Sequence, residues 1–111
     1  MADSSAIDVV YFGNPIVDIT VLDGEKTVLE RYGLVAGMAS LATPEQLPLY
    51  QEIWAREDKM LSPGGSALNM ARAQMYSDSA AKVTYFGCIG DDEQGRKLSS
   101  AVTEAGISAK F

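Results

Sequence analysis

Ser62-Pro63-Gly64-Gly65-Ser66-Ala67-Leu68-Asn69 is the stretch on which the fold turns. Two glycines stand directly before a helix-spaced run over residues 67–76, in which Leu68, Ala71 and Met75 share one stripe. Glycine lets a backbone come close to a ligand, and the start of a helix presents N–H groups that have no partner within it. Such an end suits an anion or a hydroxyl-rich ligand. Asn69, about one turn beyond Gly65, carries an amide near the same end. Taken alone, the glycine pair is more simply a tight turn into a helix. It is not a Walker A loop, because no G-x-x-x-x-G-K-[ST] occurs in the chain. Nor does a G-x-G-x-x-G follow any strand; Gly87-Cys88-Ile89-Gly90 has the wrong spacing.

Outward from this stretch the chain alternates strands and helices. Residues 7–12 and 81–89 are short, β-branched and aromatic runs of the kind covered on both faces. Residues 16–22 alternate instead: Val17, Ile19 and Val21 share one face, while Ile16, Asp18, Thr20 and Leu22 lie on the other. Residues 38–42 and 59–62 read as further short strands. Asp23-Gly24 opens a short helical stretch with Val28, Leu29 and Tyr32 on one side and Gly33 as its stop. Thr43-Pro44-Glu45-Gln46 reads as a cap, with a helix running to about Asp58 on Leu47, Tyr50, Ile53 and Trp54. Leu98, Ala101, Val102 and Ala105 mark a last helix that Gly106 ends. The alternation predicts an α/β fold with a largely parallel sheet, and the short strands predict a second, smaller sheet.

Composition narrows the chemistry. The chain has 111 residues, no His, one Cys and a net charge of −6. That excludes Ser-His-Asp and Cys-His nucleophile pairs, a His metal site and an internal disulfide. The acidic balance argues against a nucleic-acid partner. No apolar run is long enough to span a membrane, and residues 1–5 lack the features of a signal peptide. A reducing, cytoplasmic setting fits this pattern.

Asp18 is unusual, because Asp is depleted in strands. A carboxylate that accepts two hydrogen bonds side by side suits vicinal hydroxyls, and a solvent-facing Asp on an edge strand explains it as well. Asp91-Asp92-Glu93 reads as helix capping before it reads as a metal site. Cys88, Met70, Met75 and Trp54 read as core.

Three stretches carry a resemblance. Phe12-Gly13-Asn14-Pro15-Ile16-Val17-Asp18-Ile19, then Gly64-Gly65-Ser66-Ala67-Leu68-Asn69, then Phe86-Gly87-Cys88-Ile89-Gly90-Asp91-Asp92-Glu93-Gln94-Gly95 resemble the ribokinase-like family of carbohydrate and nucleoside kinases. The first two lean toward its adenosine-phosphorylating branch. The resemblance implies a Rossmann-like, mainly parallel α/β sheet with a small β-sheet lid. The lid strands would lie near 16–22, 38–42 and 59–62, and residues 1–111 would form the N-terminal portion of one kinase domain. It implies ATP-dependent phosphorylation of a ribose 5′-hydroxyl, with ATP and Mg²⁺ as cofactors and a small-molecule nucleoside or sugar as partner. By resemblance Asp18 holds the 2′- and 3′-hydroxyls. Gly65, within the pair it makes with Gly64, and Asn69 touch the ribose. Asn14 and Ser66 lie by the base, and Ile16, Leu41 and Cys88 line the apolar part. No catalytic base or metal ligand is assigned to the chain, since the family's Gly-Ala-Gly-Asp motif is absent from these residues. Residues 37–42 also lack the Gln expected in the lid. A related sugar kinase and a short, non-catalytic nucleoside- or sugar-binding module are the alternatives.

Overall fold

The computed structural model describes residues 8–111, so Ile7, expected to open the first strand, lies outside the described residues. In chain order the elements are β1 (Asp8–Phe12), β2 (Ile16–Thr20), α1 (Thr27–Arg31), a 3-10 turn (Pro44–Gln46), α2 (Pro48–Ala55), β3 (Met60–Gly64), α3 (Ser66–Ser77), β4 (Lys82–Phe86), α4 (Glu93–Glu104) and β5 (Ser108–Lys110). The chain divides into two units. One comprises Ser62–Phe111 with the residues up to Asp18, and the other comprises Ile19–Leu61. No helix among the described residues is long and apolar enough to cross a membrane.

The first unit holds a three-stranded sheet in the order β1-β4-β5, parallel throughout, with Val10 opposite Thr84 and Thr84 opposite Ser108. The crossovers to β4 and β5 each deliver a helix. Strands added in one direction through right-handed crossovers place both helices on one face of the sheet. Accordingly, Leu68 and Ala71 of α3 and Leu98 and Val102 of α4 share a core with Val83 and Tyr85 of β4. Leu68, Tyr85 and Val102 are fully buried, and burial of the Leu68 and Val102 side chains is worth about 1.5–3 kcal/mol each in transfer free energy. α4 begins where the Asp92 carboxylate accepts from the Gly95 N–H at 2.8 Å, and its chain turns off at Gly106, where φ is +83°.

Several expectations need correcting here. β1 and β4 are not covered on both faces: Val10 is 52% and Phe12 71% exposed, because both helices take the opposite face. β4 stops at Phe86, so Cys88 lies beyond the strand and is exposed rather than core. Met70 is 60% exposed, since α3 turns Leu68 and Ala71 inward instead.

β2 and β3 pair in a separate two-stranded sheet, and the boundary between the units falls within both strands. β2 keeps the expected alternation, with Val17 and Ile19 half-buried and Ile16, Asp18 and Thr20 exposed. Residues 38–42, expected as a lid strand, are coil. Ala39, Ser40 and Ala42 have little preference for an extended chain, and the two-stranded sheet has no third strand to pair them.

In the second unit the Asp23 carboxylate caps α1 by accepting from the N–H groups of Val28 and Leu29, each at 3.0 Å. Gly33, at φ +63°, ends that stretch as expected. The Gln46 side chain accepts from the Thr43 N–H at 3.0 Å and donates to the Tyr32 carbonyl at 2.9 Å. The single helix expected over residues 44–58 is two pieces. Pro48 has no N–H to donate back to Pro44, so the 3-10 turn ends and α2 restarts there. Tyr50 and Leu47 are both 55% exposed, and Trp54 is half-buried.

Candidate functional site

β1 leaves the main sheet through Gly13-Asn14-Pro15, and β3 ends in the glycine pair that leads into α3. These two exits meet. A methyl group at Gly65 would stand 2.5 Å from the Asn14 carbonyl oxygen and 3.7 Å from Ile16 Cγ1. Gly65 also holds φ at +95°, a conformation that L residues rarely adopt. A methyl at Gly64 would fall 2.7 Å from Asp18 Cγ and would overlap the carboxylate. Gly64 is therefore glycine because the Asp18 side chain occupies its space. Close to the same junction, a methyl at Gly13 would lie 2.7 Å from Ala67 Cβ and 3.2 Å from Tyr85 Oη.

α3 starts with no side chain capping it. Its first ladder bond runs from the Asn69 N–H to the Gly65 carbonyl at 2.8 Å. The amides before Asn69 thus point out of the helix start, which carries the positive end of its dipole. Ser66 and Asn69 are exposed on this first turn. Next to the uncapped start, the structure brings together Asn14, Ile16, Asp18, Gly64 and Gly65.

The other two predicted residues are placed differently. Cys88 lies in a small groove of about 190 Å³ with Pro15 and Val17, and Val17 leaves β2 on the face opposite Ile16 and Asp18. Leu41 belongs to the second unit, where it is 94% exposed in the coil before the 3-10 turn. The acidic run carries local duties: Asp92 caps α4, and Asp91 faces Arg96 at 3.6 Å.

Two residues were not singled out from the sequence. Tyr85 is fully buried with no partner for its hydroxyl, and burial holds that phenol above its usual range. Its aromatic bulk in a strand gave no sign of this. Arg72 donates to the Pro63 carbonyl at 2.7 Å, just before the glycine pair. Its signal was present in the sequence, since it lies three residues beyond Asn69 and so on the same helix face.

In chemical terms the cluster offers a two-oxygen acceptor, an amide that both donates and accepts, and free backbone donors around close-approach glycines. That set suits a ligand rich in hydroxyl groups.

No family model matches the chain. It is 39% identical over 99 residues to an adenosine kinase of Schizophyllum commune, covering 89% of this chain and 28% of that protein. It is 35% identical over 108 residues to an adenosine kinase of Dictyostelium discoideum, covering 96% of this chain and 31% of the relative. The chain thus spans under a third of the length of these relatives. Among solved structures, the apo adenosine kinase of Trypanosoma brucei brucei superposes with a TM-score of 0.85 at 34% identity, over 96% of this chain and 33% of that one. An adenosine kinase of Schistosoma mansoni in complex with adenosine and AMP gives a TM-score of 0.70 at 26% identity, over 92% of this chain and 31% of that one.

Proposed function

We propose that this chain, homologous over nearly all its length to the adenosine kinases of the ribokinase-like family, supplies the ribonucleoside-holding half of a kinase site. The observation that carries this is the seat of Asp18. Its carboxylate fills the room that Gly64 leaves, beside the uncapped start of α3. A carboxylate there accepts from the 2′- and 3′-hydroxyls together, and the Asn69 amide and the backbone at Gly65 contact the same sugar. Asn14 and Ser66 lie toward the base, and Ile16 supplies an apolar contact beside them.

The proposed reaction is transfer of a phosphoryl group from ATP to the ribose 5′-hydroxyl. ATP and Mg²⁺ would be the cofactors of that reaction, and no residue of this chain is assigned to either. Asp91 and Asp92 are engaged at α4, and among the described residues no group of three or more His, Cys, Asp or Glu is placed to hold a metal ion. With the Gly-Ala-Gly-Asp motif absent from the 111 residues, the chain alone is expected to bind nucleoside without turning it over. A coupled assay with adenosine and MgATP checks this, and turnover near the usual kinase range of about 1–100 s⁻¹ would overturn it.

Titration calorimetry tests the binding role. Hydrogen bonds to a charged acceptor contribute about 1.5–3 kcal/mol each, so Asp18→Ala is expected to weaken adenosine binding by about 3 kcal/mol or more. 2′-Deoxyadenosine lacks one of the two partners and should lose less. Stability should move by no more than about 0.5 kcal/mol, because Asp18 is exposed. Equal losses for both ligands would remove Asp18 from the 2′-hydroxyl. Ribose binding as tightly as adenosine would shift the reading to a sugar kinase.

A further inference from the structure

We infer that Arg72 is a positioning residue for the ribonucleoside half-site, tethering the glycine turn that seats Asp18; this rests on the nucleoside-binding reading above. Gly64-Gly65 is the most permissive backbone a chain can offer, and Gly65 sits at φ +95°. Yet the site depends on this turn being fixed. Gly64 must stay against the Asp18 carboxylate and Gly65 against the Asn14 carbonyl. β3 has a strand partner on one side only, and Pro63 contributes no N–H of its own.

The group that holds the turn is the half-buried guanidinium of Arg72, whose Nη1 donates to the Pro63 carbonyl at 2.7 Å. Arg72 lies three residues after Asn69, so the helix face that carries the ribose-side amide also carries the tether. A guanidinium is always charged and geometrically fixed, and charge-assisted bonds are about twice as strong as neutral ones. Arg72 therefore links α3 to the end of β3 at the point where the glycines loosen it.

The test uses the 111-residue chain with Arg72→Met and Arg72→Lys, read by ¹⁵N relaxation without ligand and by calorimetry with adenosine and 2′-deoxyadenosine. In R72M, the order parameters of Gly64 and Gly65 should fall from about 0.85 toward 0.6 or below, while those of the α3 interior hold. Adenosine should bind about tenfold more weakly and 2′-deoxyadenosine should lose less, because the tether acts through the seat of Asp18. R72K keeps a charged donor and should fall between wild type and R72M. If R72M fails to fold, the same two-ligand comparison on R72K decides. A folded variant that keeps full adenosine affinity, or loses both ligands equally, overturns the positioning role. A wild-type chain that takes no adenosine overturns the nucleoside reading instead, and the order of Gly64 and Gly65 without ligand still decides whether Arg72 holds the turn.

Discussion

Gly64 and Gly65 are neighbours with different reasons for being glycine, and alanine at each should separate them. At Gly65 a methyl meets the Asn14 carbonyl, a backbone atom that cannot swing aside, and the backbone is already at φ +95°. Gly65→Ala is expected to cost about 1–3 kcal/mol of stability, read from denaturant melts. At Gly64 the obstruction is the far end of the Asp18 side chain, which can rotate away. Gly64→Ala should leave stability within about 1 kcal/mol while lowering adenosine affinity almost as far as Asp18→Ala does. The two substitutions act on one carboxylate, so the double mutant should bind little worse than either single. Additive losses would mean that Gly64 touches the ligand independently of Asp18. Much of this cluster was legible because glycine pairs, a helix start and an Asp within a strand are local signals. The fit of the Asp18 carboxylate into the space over Gly64 was not, since it joins residues 46 positions apart, 18 to 64.

Among the elements, α1 and α2 of the second unit are held by polar contacts more than by a core, for Val28 is its one buried hydrophobic residue among those described. Glu52 on α2 accepts from Nη1 and Nη2 of Arg31 and, at 2.7 Å, from the Tyr32 hydroxyl. Chiefly the Tyr32 hydrogen bond, then that from Arg31, holds the Glu52 carboxyl below its usual range. The same bond to Glu52 is the main cause that raises Tyr32. A lowered carboxyl pKa gives stability that is complete above the unfolded value and is lost as pH falls through the folded one. A raised phenol pKa gives stability that is complete below its unfolded value and is lost as pH rises through the folded one. The clamp should therefore be intact between the carboxylate and phenol ranges and weaken on either side. Trp54 is the chain's single tryptophan and lies on α2, so its fluorescence reports this unit directly. Glu52→Gln should remove the acid limb of that profile, and superimposable curves for the two proteins would exclude the clamp. The cap at Asp92 and the stops at Gly33 and Gly106 were readable in advance, because each acts within a few residues. The coil at 38–42 and the break before Pro48 were misread from apolar content, which says nothing about whether a strand finds a partner or a helix its next N–H.

Over the whole molecule, the parallel order β1-β4-β5 followed from the alternation of strands and helices, but the coverage of the sheet did not. An apolar run shows that a strand can be buried on both faces; only the packing shows how many faces are filled. Here α3 and α4 share one face, and the other carries Val10 at 52%, Phe12 at 71% and Phe86 at 39% exposure. Phe12 and Phe86 lie on paired strands and stack at 5.0 Å between ring centroids, with planes 14° apart. Stacking removes one ring face of each from water and leaves the rest of the patch wet. Aromatic side chains of this size present large apolar areas, and a contiguous patch of them favours association. The 111-residue chain should therefore bind an apolar dye in its native state and self-associate as concentration rises. Phe12→Ser with Phe86→Ser should reduce both. Those side chains lie outside the buried core of Leu68, Tyr85 and Val102, so the cooperative melt of the first unit should survive the change. Dye fluorescence, sedimentation and thermal melts on the two proteins give the answer. A wild-type chain that stays monomeric at high concentration and leaves the dye dark would show that this face is shielded, and the double variant would then differ from it only in stability.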